Sequence, residues 1–329
     1  MSFTVRLEPA DVTFTARPDE TLLQAARRAG IVLPHECGWG SCGTCKAVLV
    51  EGEVELLFPE APAVSPRDAR RGRIVACQAM ARSDLVLKPP AGWAGLPGPE
   101  CHEQQAELIA VEELAPEIRR FTFRPEVSAD FLPGQYLIVH LGPRLRRAYS
   151  MCNLPDGETL QIISKRYEGG AGSNALAALE PGAKVTIESP FGSCTLRRKP
   201  GRTVFVAGGT GISPILALVR EAAREGLDFA APVDVVYGAQ SPADLAAGEE
   251  LEQATGAISG ATYRPVVEAP DAGWAGATGR APDVIAALDF DPADTRFYVA
   301  GPPVMVNAVK AQLKEVGVPI TRVHYDSFG

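Results

Sequence analysis

Histidine is scarce in this chain: four among 329 residues, scattered at His35, His102, His140 and His324. No Ser/His/Asp constellation emerges from the sequence, so hydrolysis through an activated nucleophile is not expected. No basic stripe with interleaved aromatics is present, which removes nucleic acid from the expected partners. Long hydrophobic runs are missing too. The most apolar stretch, Thr203 to Val219, is broken by glycines, a proline and a serine, so no membrane span is expected. The opening residues, Met1 to Leu7, alternate like a strand and lack the regions of a signal peptide. Internal repeats and low-complexity tails are absent. The net charge of −8 is unevenly spread: cations and anions number 11 and 11 over residues 1–90, 12 and 13 over 91–200, and 9 and 16 over 201–329.

What is present starts with cysteine. Cys37, Cys42, Cys45 and Cys77 stand in the order C-x4-C-x2-C…C, the spacing that holds a plant-type [2Fe–2S] cluster. Three of the six non-cysteine residues between Cys37 and Cys45 are glycine. A loop that turns backbone amides toward sulfur needs the φ values glycine permits. Structural zinc usually takes two short cysteine knuckles, whereas here three thiols share one loop and the fourth stands alone. Zinc or disulfides remain the alternative readings. Cys101, Cys152 and Cys194 are left over, which argues for a reducing compartment, and a cytoplasmic location is expected.

The length allows two or three domains. Residues 1–90 read as a small sheet with one helix, Thr21 to Gly30, opened by an N-cap residue and closed by glycine. Strands are expected over Lys46–Val50 and Asp84–Lys88. A linker over residues 91–102 is expected because seven of the eleven residues Pro89–Pro99 are proline or glycine. Residues 103–199 read as a β domain with strands at Ile118–Phe123, Gln135–His140, Leu160–Lys165 and Lys184–Ile187, as in a small antiparallel barrel. Residues 200–329 alternate strand and helix, which implies a doubly wound parallel sheet. Its expected elements are strands at Thr203–Ala207, Val233–Tyr237 and Arg296–Ala300, and a helix over Ile215–Glu225.

Three further motifs carry chemistry. Gly208-Gly209-Thr210-Gly211-Ile212-Ser213-Pro214 joins a strand to a helix, where free amides can hold a pyrophosphate. Arg147-Ala148-Tyr149-Ser150 offers a phosphate clamp, a flat ring and a hydroxyl. Gly169-Gly170-Ala171-Gly172-Ser173 then opens a helical run, Asn174–Leu179, with a second amide cradle. Singly, each reads as an ordinary surface charge, packed ring or turn.

Taken in order, with Ala300-Gly301-Pro302-Pro303-Val304-Met305 closing the series, the motifs resemble the ferredoxin–NADP reductase superfamily. The resemblance is to the branch with an N-terminal plant-type ferredoxin, the reductase components of multicomponent oxygenases. It implies a β-grasp ferredoxin, an antiparallel β-barrel FAD domain and an α/β NAD domain, with a [2Fe–2S] cluster, FAD and NADH as cofactors. It further implies that Arg147, Tyr149 and Ser150 bind FAD, with Tyr149 against the isoalloxazine and Ser150 near N5. Gly170, Gly172 and Ser173 would hold its diphosphate. Gly209, Thr210 and Gly211, joined by Gly301, Pro302 and Pro303, would contact the nicotinamide nucleotide. Phe328, in the aromatic ending His324–Gly329, would cover the flavin's other face. Leu49–Val54 and Phe58–Pro62 look most like the reductases of soluble diiron monooxygenases acting on toluene or alkenes. Two departures stand out: Ala300 replaces a cysteine of many relatives, and Gln240 replaces an arginine.

No Lys or Arg occurs between Arg224 and Arg264, and Asp244 suits a ribose hydroxyl, so NADH is expected over NADPH. The implied activity is a relay that takes hydride from NADH onto FAD and passes single electrons through the cluster. A plant-type cluster near about −400 mV is reducing enough for a separate acceptor protein. That acceptor would be an oxygenase or hydroxylase component, or an intermediary ferredoxin, and the reductase itself a monomer. Trp39, on the cluster loop, is a candidate partner contact. Reductases of Rieske dioxygenases and of deoxysugar dehydratase systems are the alternatives, and a flavin- and cluster-bearing redox sensor is the rival from another class.

Overall fold

The computed structural model describes residues 2–31, 33–35, 40, 43–89, 101–142, 145–192, 194–198, 201–226 and 232–327. Near the N-terminus, β1 (Phe3–Leu7), β2 (Val12–Ala16), β3 (Lys46–Glu51), β5 (Arg73–Val75) and β7 (Leu85–Lys88) form a five-stranded mixed sheet in the order β2-β1-β7-β3-β5. Helix α1 (Leu22–Arg28) lies where the sequence places it. Thr21 caps its N-terminus reciprocally with Gln24, and Leu22, Leu23, Ala25 and Ala26 are buried against the sheet. Each leucine so buried contributes about 1.5–3 kcal/mol. Two short strands, β4 (Val54–Leu56) and β6 (Ala79–Ala81), pair separately, and a single turn of helix, α2 (Pro66–Ala69), precedes β5.

The central region is a six-stranded antiparallel sheet in the order β11-β10-β13-β8-β9-β12. Its strands are β8 (His102–Ala115), β9 (Ile118–Pro125), β10 (Tyr136–Gly142), β11 (Leu145–Ser150), β12 (Leu160–Lys165) and β13 (Lys184–Phe191). The edge strands β11 and β12 meet only through one isolated bridge, Met151 to Ile162, so the ladder is not closed among the described residues. Helix α3 spans Ala171–Ala177, three residues earlier than the sequence suggests, because the chain turns into the helix at Gly170, its N-cap.

The C-terminal sheet is wholly parallel, in the order β17-β16-β15-β14-β18-β19. Its strands are β14 (Thr203–Gly208), β15 (Val233–Ala239), β16 (Ala261–Val267), β17 (Ala277–Thr278), β18 (Arg296–Gly301) and β19 (Val323–Ser327). Helices α4 (Ile212–Arg224) and α5 (Gly248–Gly256) pack on one face, while α6 (Ala281–Ala286) and α7 (Pro303–Glu315) pack on the other. The chain reverses its winding between β14 and β18, the place where an open parallel sheet leaves a crevice at its strand ends. His324–Ser327, the described part of the aromatic ending, lie in strand β19, which pairs with β18 and sets Asp326 opposite Ala300. One apolar core runs from Ile118, Cys152 and Ile163 of the central sheet into α4, which joins the two regions.

Candidate functional site

Cys45 ends the turn before β3, and Cys77 sits in the 3₁₀ turn Ala76–Gln78 after β5. The Ala76 amide donates to the Cys45 carbonyl at 3.1 Å, which draws the two turns together. Both thiols are buried, and their sulfurs stand 3.3 Å apart, far beyond a disulfide bond. Two adjacent buried sulfurs are donors that iron accepts, so what is described of the site fits a [2Fe–2S] cluster. Gly40 and Gly43 adopt φ of +97° and +77°, as the cluster reading requires of its loop. Cys37, Trp39 and Cys42 lie outside the described residues. His35 accompanies this loop, but burial and then the Arg27 guanidinium push its imidazole down to about 3.

The pairing of β11 with β10 sets the next motif. Arg147 and Tyr149 project from one face of β11, Ala148 and Ser150 from the other. The Arg147 side chain lies across the first turn of α3. A Cβ at Gly172 would fall 2.5 Å from Arg147 Cγ, so this crossing needs glycine. Burial pushes the Tyr149 phenol up to about 12, against the pull of Arg147. Ser173 Oγ is engaged within its own turn, accepting from the Tyr167 amide at 3.1 Å and donating to the Gly170 carbonyl at 3.2 Å. The Gly170 amide donates to the Tyr167 carbonyl at 3.0 Å, so the first-turn amides of α3 at Gly172 and Ser173, with Arg147, form the cradle that fits a diphosphate.

Ser150 joins the central sheet to the C-terminal one. Its hydroxyl donates to Asp326 Oδ2, and its carbonyl accepts from Ser213 Oγ at 2.6 Å. Both Ser150 and Asp326 are buried. The register extends the junction: Asp326 pairs with Ala300, and Ala300 with Ala207 at the end of β14. Gly209–Gly211 forms a 3₁₀ turn there, and an added Cβ at Gly211 would sit 2.0 Å from the Ala300 carbonyl oxygen. Pro302 caps α7 and Pro303 opens it. Thus Ser150, Gly211, Gly301 and Pro302 are brought to one junction, and Thr210 lies on the turn beside it. Asp326 was missed by the sequence reading, which weighed the ending for its aromatics. The signal was a carboxylate inside the strand-like run Val323–Ser327.

The second nucleotide strand, β15, ends beside Asp244. That carboxylate accepts from Ser241 Oγ at 2.7 Å and from Lys165 Nζ at 3.2 Å, which hold it below the usual carboxylate range. The cation missing from residues 225–263 is therefore supplied by β12. Phe328 lies outside the described residues.

The cysteine site and the Arg147 motif face one another. A cavity of about 640 Å³ is lined by Phe58, Cys77 and Gln78 on one side, and by Ile138, Arg147 and Ala148 on the other. Two contacts hold its walls together. Gln24 Nε2 donates to Glu188 Oε1 at 2.6 Å, and the Arg27 guanidinium lies 3.3 Å from the Phe191 ring centroid.

Comparison with known proteins agrees with this geometry. Residues 5–82 match the 2Fe-2S iron-sulfur cluster binding domain, 105–196 the oxidoreductase FAD-binding domain, and 205–311 the oxidoreductase NAD-binding domain. The chain is 38% identical to the ferredoxin–NAD(+) reductase component of an alkene monooxygenase system from Xanthobacter autotrophicus, over 96% of this chain and 98% of that one. It is 34% identical to a ferredoxin–NAD(P)(+) reductase of Metapseudomonas resinovorans, over 95% and 96%. Among solved structures, a ferredoxin reductase in carbazole 1,9a-dioxygenase superposes with a TM-score of 0.87 at 31% identity, covering 100% of this chain and 99% of that one. The chain is therefore an oxidoreductase of the ferredoxin–NAD(P)+ reductase family, in the branch that joins a [2Fe–2S] domain to FAD- and NAD-binding domains.

Proposed function

We propose that this chain is the NADH-dependent reductase component of a multicomponent oxygenase, serving a diiron hydroxylase either directly or through an intermediary ferredoxin. The observation that carries the reading is the shared cavity, where Cys77 and Arg147 line opposite walls. When bound, NADH supplies hydride, FAD takes up two electrons and gives them out singly, and the cluster carries one at a time. The protein's own part is to bind, orient and enclose these groups.

In this reading Cys37, Cys42, Cys45 and Cys77 hold the cluster within a β-grasp domain of residues 1–90. After the 91–102 linker, Arg147, Tyr149, Ser150, Gly170, Gly172, Ser173 and Phe328 hold FAD in a barrel domain of residues 103–199. Gly209, Thr210, Gly211, Gly301, Pro302 and Pro303 hold the nicotinamide nucleotide in residues 200–329. The Ser150–Asp326 hydrogen bond supports a proton held where a hydride acceptor needs one. Asp244, already carrying Ser241 and Lys165, supports a ribose hydroxyl over a 2′-phosphate, and hence NADH.

The alkene monooxygenase relative supports a diiron partner. The dioxygenase-associated relatives support the second reading, a reductase of a Rieske system. The chain is taken to act as a cytoplasmic monomer. None of the five described cysteines is disulfide-bonded, and no described helix is long and apolar enough to cross a membrane.

The test separates inlet from outlet. Cys42→Ser should abolish cluster absorbance and transfer to protein acceptors, yet retain NADH-to-ferricyanide turnover. Equal loss of both activities in a folded variant contradicts the relay.

A further inference from the structure

The cysteine site has two sides. Cys77 faces the cavity shared with the FAD-binding region. On the other side, Gly43 and Thr44, the two residues between Cys42 and Cys45, wall a separate groove of about 530 Å³ together with Lys46, Val48, Arg73 and Lys88. The register explains why these cations meet. Val48 on β3 stands opposite Arg73 on β5 and opposite Lys88 on β7, and Lys46 is two residues along β3. Residues directly opposite share a face, so all three cations surround Val48 on the outer face of the sheet. Ala47, Ile74 and Leu87 take the inner face and are buried.

The segment leading into β5 adds to the charge. Arg67, Arg70 and Arg71 are exposed on and after α2. Asp68 is the one acid of that segment, and it is shared between Lys46 at 3.0 Å and Arg73 at 2.8 Å. Six cations thus stand against three acids: Asp68, Glu60 exposed in the preceding turn, and exposed Glu51, which the bulge after Leu49 sets opposite Val86 on the same face as Lys88. Val50, 48% exposed and further along β3, extends an apolar strip beside them. This face is cationic in a chain of net charge −8.

We propose that this face is the docking surface for the electron acceptor, and that the acceptor is a protein presenting an acidic patch around a small apolar centre. The proposal rests on the relay reading above and adds the partner's chemistry and place of contact. Charge complementarity carries it: opposite fields steer encounter and fix register, and they bring the acceptor against the loop that bears Cys42 and Cys45. The Cys77 side remains turned toward the FAD-binding region, so inlet and outlet do not compete for one surface.

The test uses the full-length enzyme with its cofactors and two one-electron acceptors of opposite charge, soluble cytochrome b5 (acidic) and cytochrome c (basic). Binding of cytochrome b5 by calorimetry, and its NADH-driven reduction, should both weaken as salt rises from about 20 to 300 mM, where screening shortens to under ~10 Å. Replacing two exposed cations, Lys88→Glu with Arg71→Glu, should weaken cytochrome b5 binding about tenfold and flatten its salt dependence. Cytochrome c reduction should rise, and NADH-to-ferricyanide turnover should stay at the wild-type value. The neutral pair Lys88→Gln with Arg71→Gln should fall between, which separates charge from misfolding. Cytochrome b5 binding and salt dependence unchanged by charge reversal overturn the docking surface alone. Wild-type enzyme that turns over ferricyanide but reduces neither cytochrome overturns the outlet reading beneath it.

Discussion

Gly211→Ala puts the junction of the nucleotide motif with β18 under direct test. In the wild-type backbone the added methyl would lie 2.0 Å from the Ala300 carbonyl oxygen, 2.4 Å from its carbon and 2.8 Å from Gly301 Cα. Ordinary contact with a carbonyl oxygen needs about 3.4 Å, so more than 1 Å of separation must be found between two backbones. Neither can yield cheaply. Ala300 is held between β14 and β19, and Gly211 starts α4, whose residues Ile212 to Val219 are buried. Overpacking of this kind costs about 1–3 kcal/mol, which lowers the melting temperature by roughly 2–4 °C per kcal/mol for a chain of this size. The same displacement moves Gly301 and Pro302, so the KM for NADH should rise severalfold. Gly256→Ala is the control, because nothing lies within 4 Å of its Cβ position and it sits in helix α5. That change should be neutral or stabilise by up to about 1 kcal/mol. Should Gly211→Ala melt with the control and bind NADH as wild type does, the close approach of these strands is not what sets the nucleotide site.

Coenzyme choice should respond to Asp244 and Gln240 together. Asp244→Asn releases Lys165 from its 3.2 Å pair, and Gln240→Arg restores a guanidinium, so the NADPH-to-NADH ratio of kcat/KM should rise at least about tenfold. An unmoved ratio removes these residues from the selection of the adenosine ribose. His324, stacked on Tyr298 at 5.1 Å, is pushed down to about 4 by burial and by Arg197 and Arg296. An unfolded histidine titrates near 6.5, so below about pH 6.5 the unfolded chain takes the proton first. Stability then falls until about pH 4. The ring is only half-buried, so the loss should reach about 1–2 kcal/mol rather than the ~3 kcal/mol of the full shift. His324→Gln should flatten melting temperature against pH over that window, and a slope equal to wild type refutes the assignment.

The parts legible in the sequence were those whose chemistry is local. Thr21 with Gln24, then leucines and alanines, then Gly30 state a capped helix within ten residues, and α1 is that helix. Cys45 and the glycines beside it state a metal loop in the same way. Strands β14, β15 and β18 were legible because buried parallel strands read as continuous apolar runs. The 14 residues of β8 were not, because its one apolar run, Leu108–Val111, is set between polar stretches, His102–Gln105 and Glu107 before it and Glu112–Glu113 after it. Ser150 and Asp326 are 176 residues apart, and no spacing rule joins them; only the pairing of β18 with β19 brings the carboxylate to the hydroxyl. Lys165 escaped for the same reason. A scan of residues 225–263 for a cation finds none, yet the central sheet supplies one.

Charge shows the same limit from the other direction. Over residues 1–90 the cations and anions balance, and a count over the segment predicts no field at all. The fold sorts them. Alternation along β3 and the register of its two neighbours send Lys46, Arg73 and Lys88 outward around Val48. Three acids of the same region are spent elsewhere, Glu20 on Arg28, Glu55 on Arg82 and Asp84 on the Thr4 amide, which leaves Glu51, Glu60 and Asp68 beside six cations. A neutral segment therefore acquires a cationic face beside Cys45 without any excess of basic residues. An electron relay needs two separate approaches to one cluster, one closed toward the flavin and one open toward the acceptor. Sorting by register provides the second without disturbing the Gln24–Glu188 and Arg27–Phe191 contacts that secure the first.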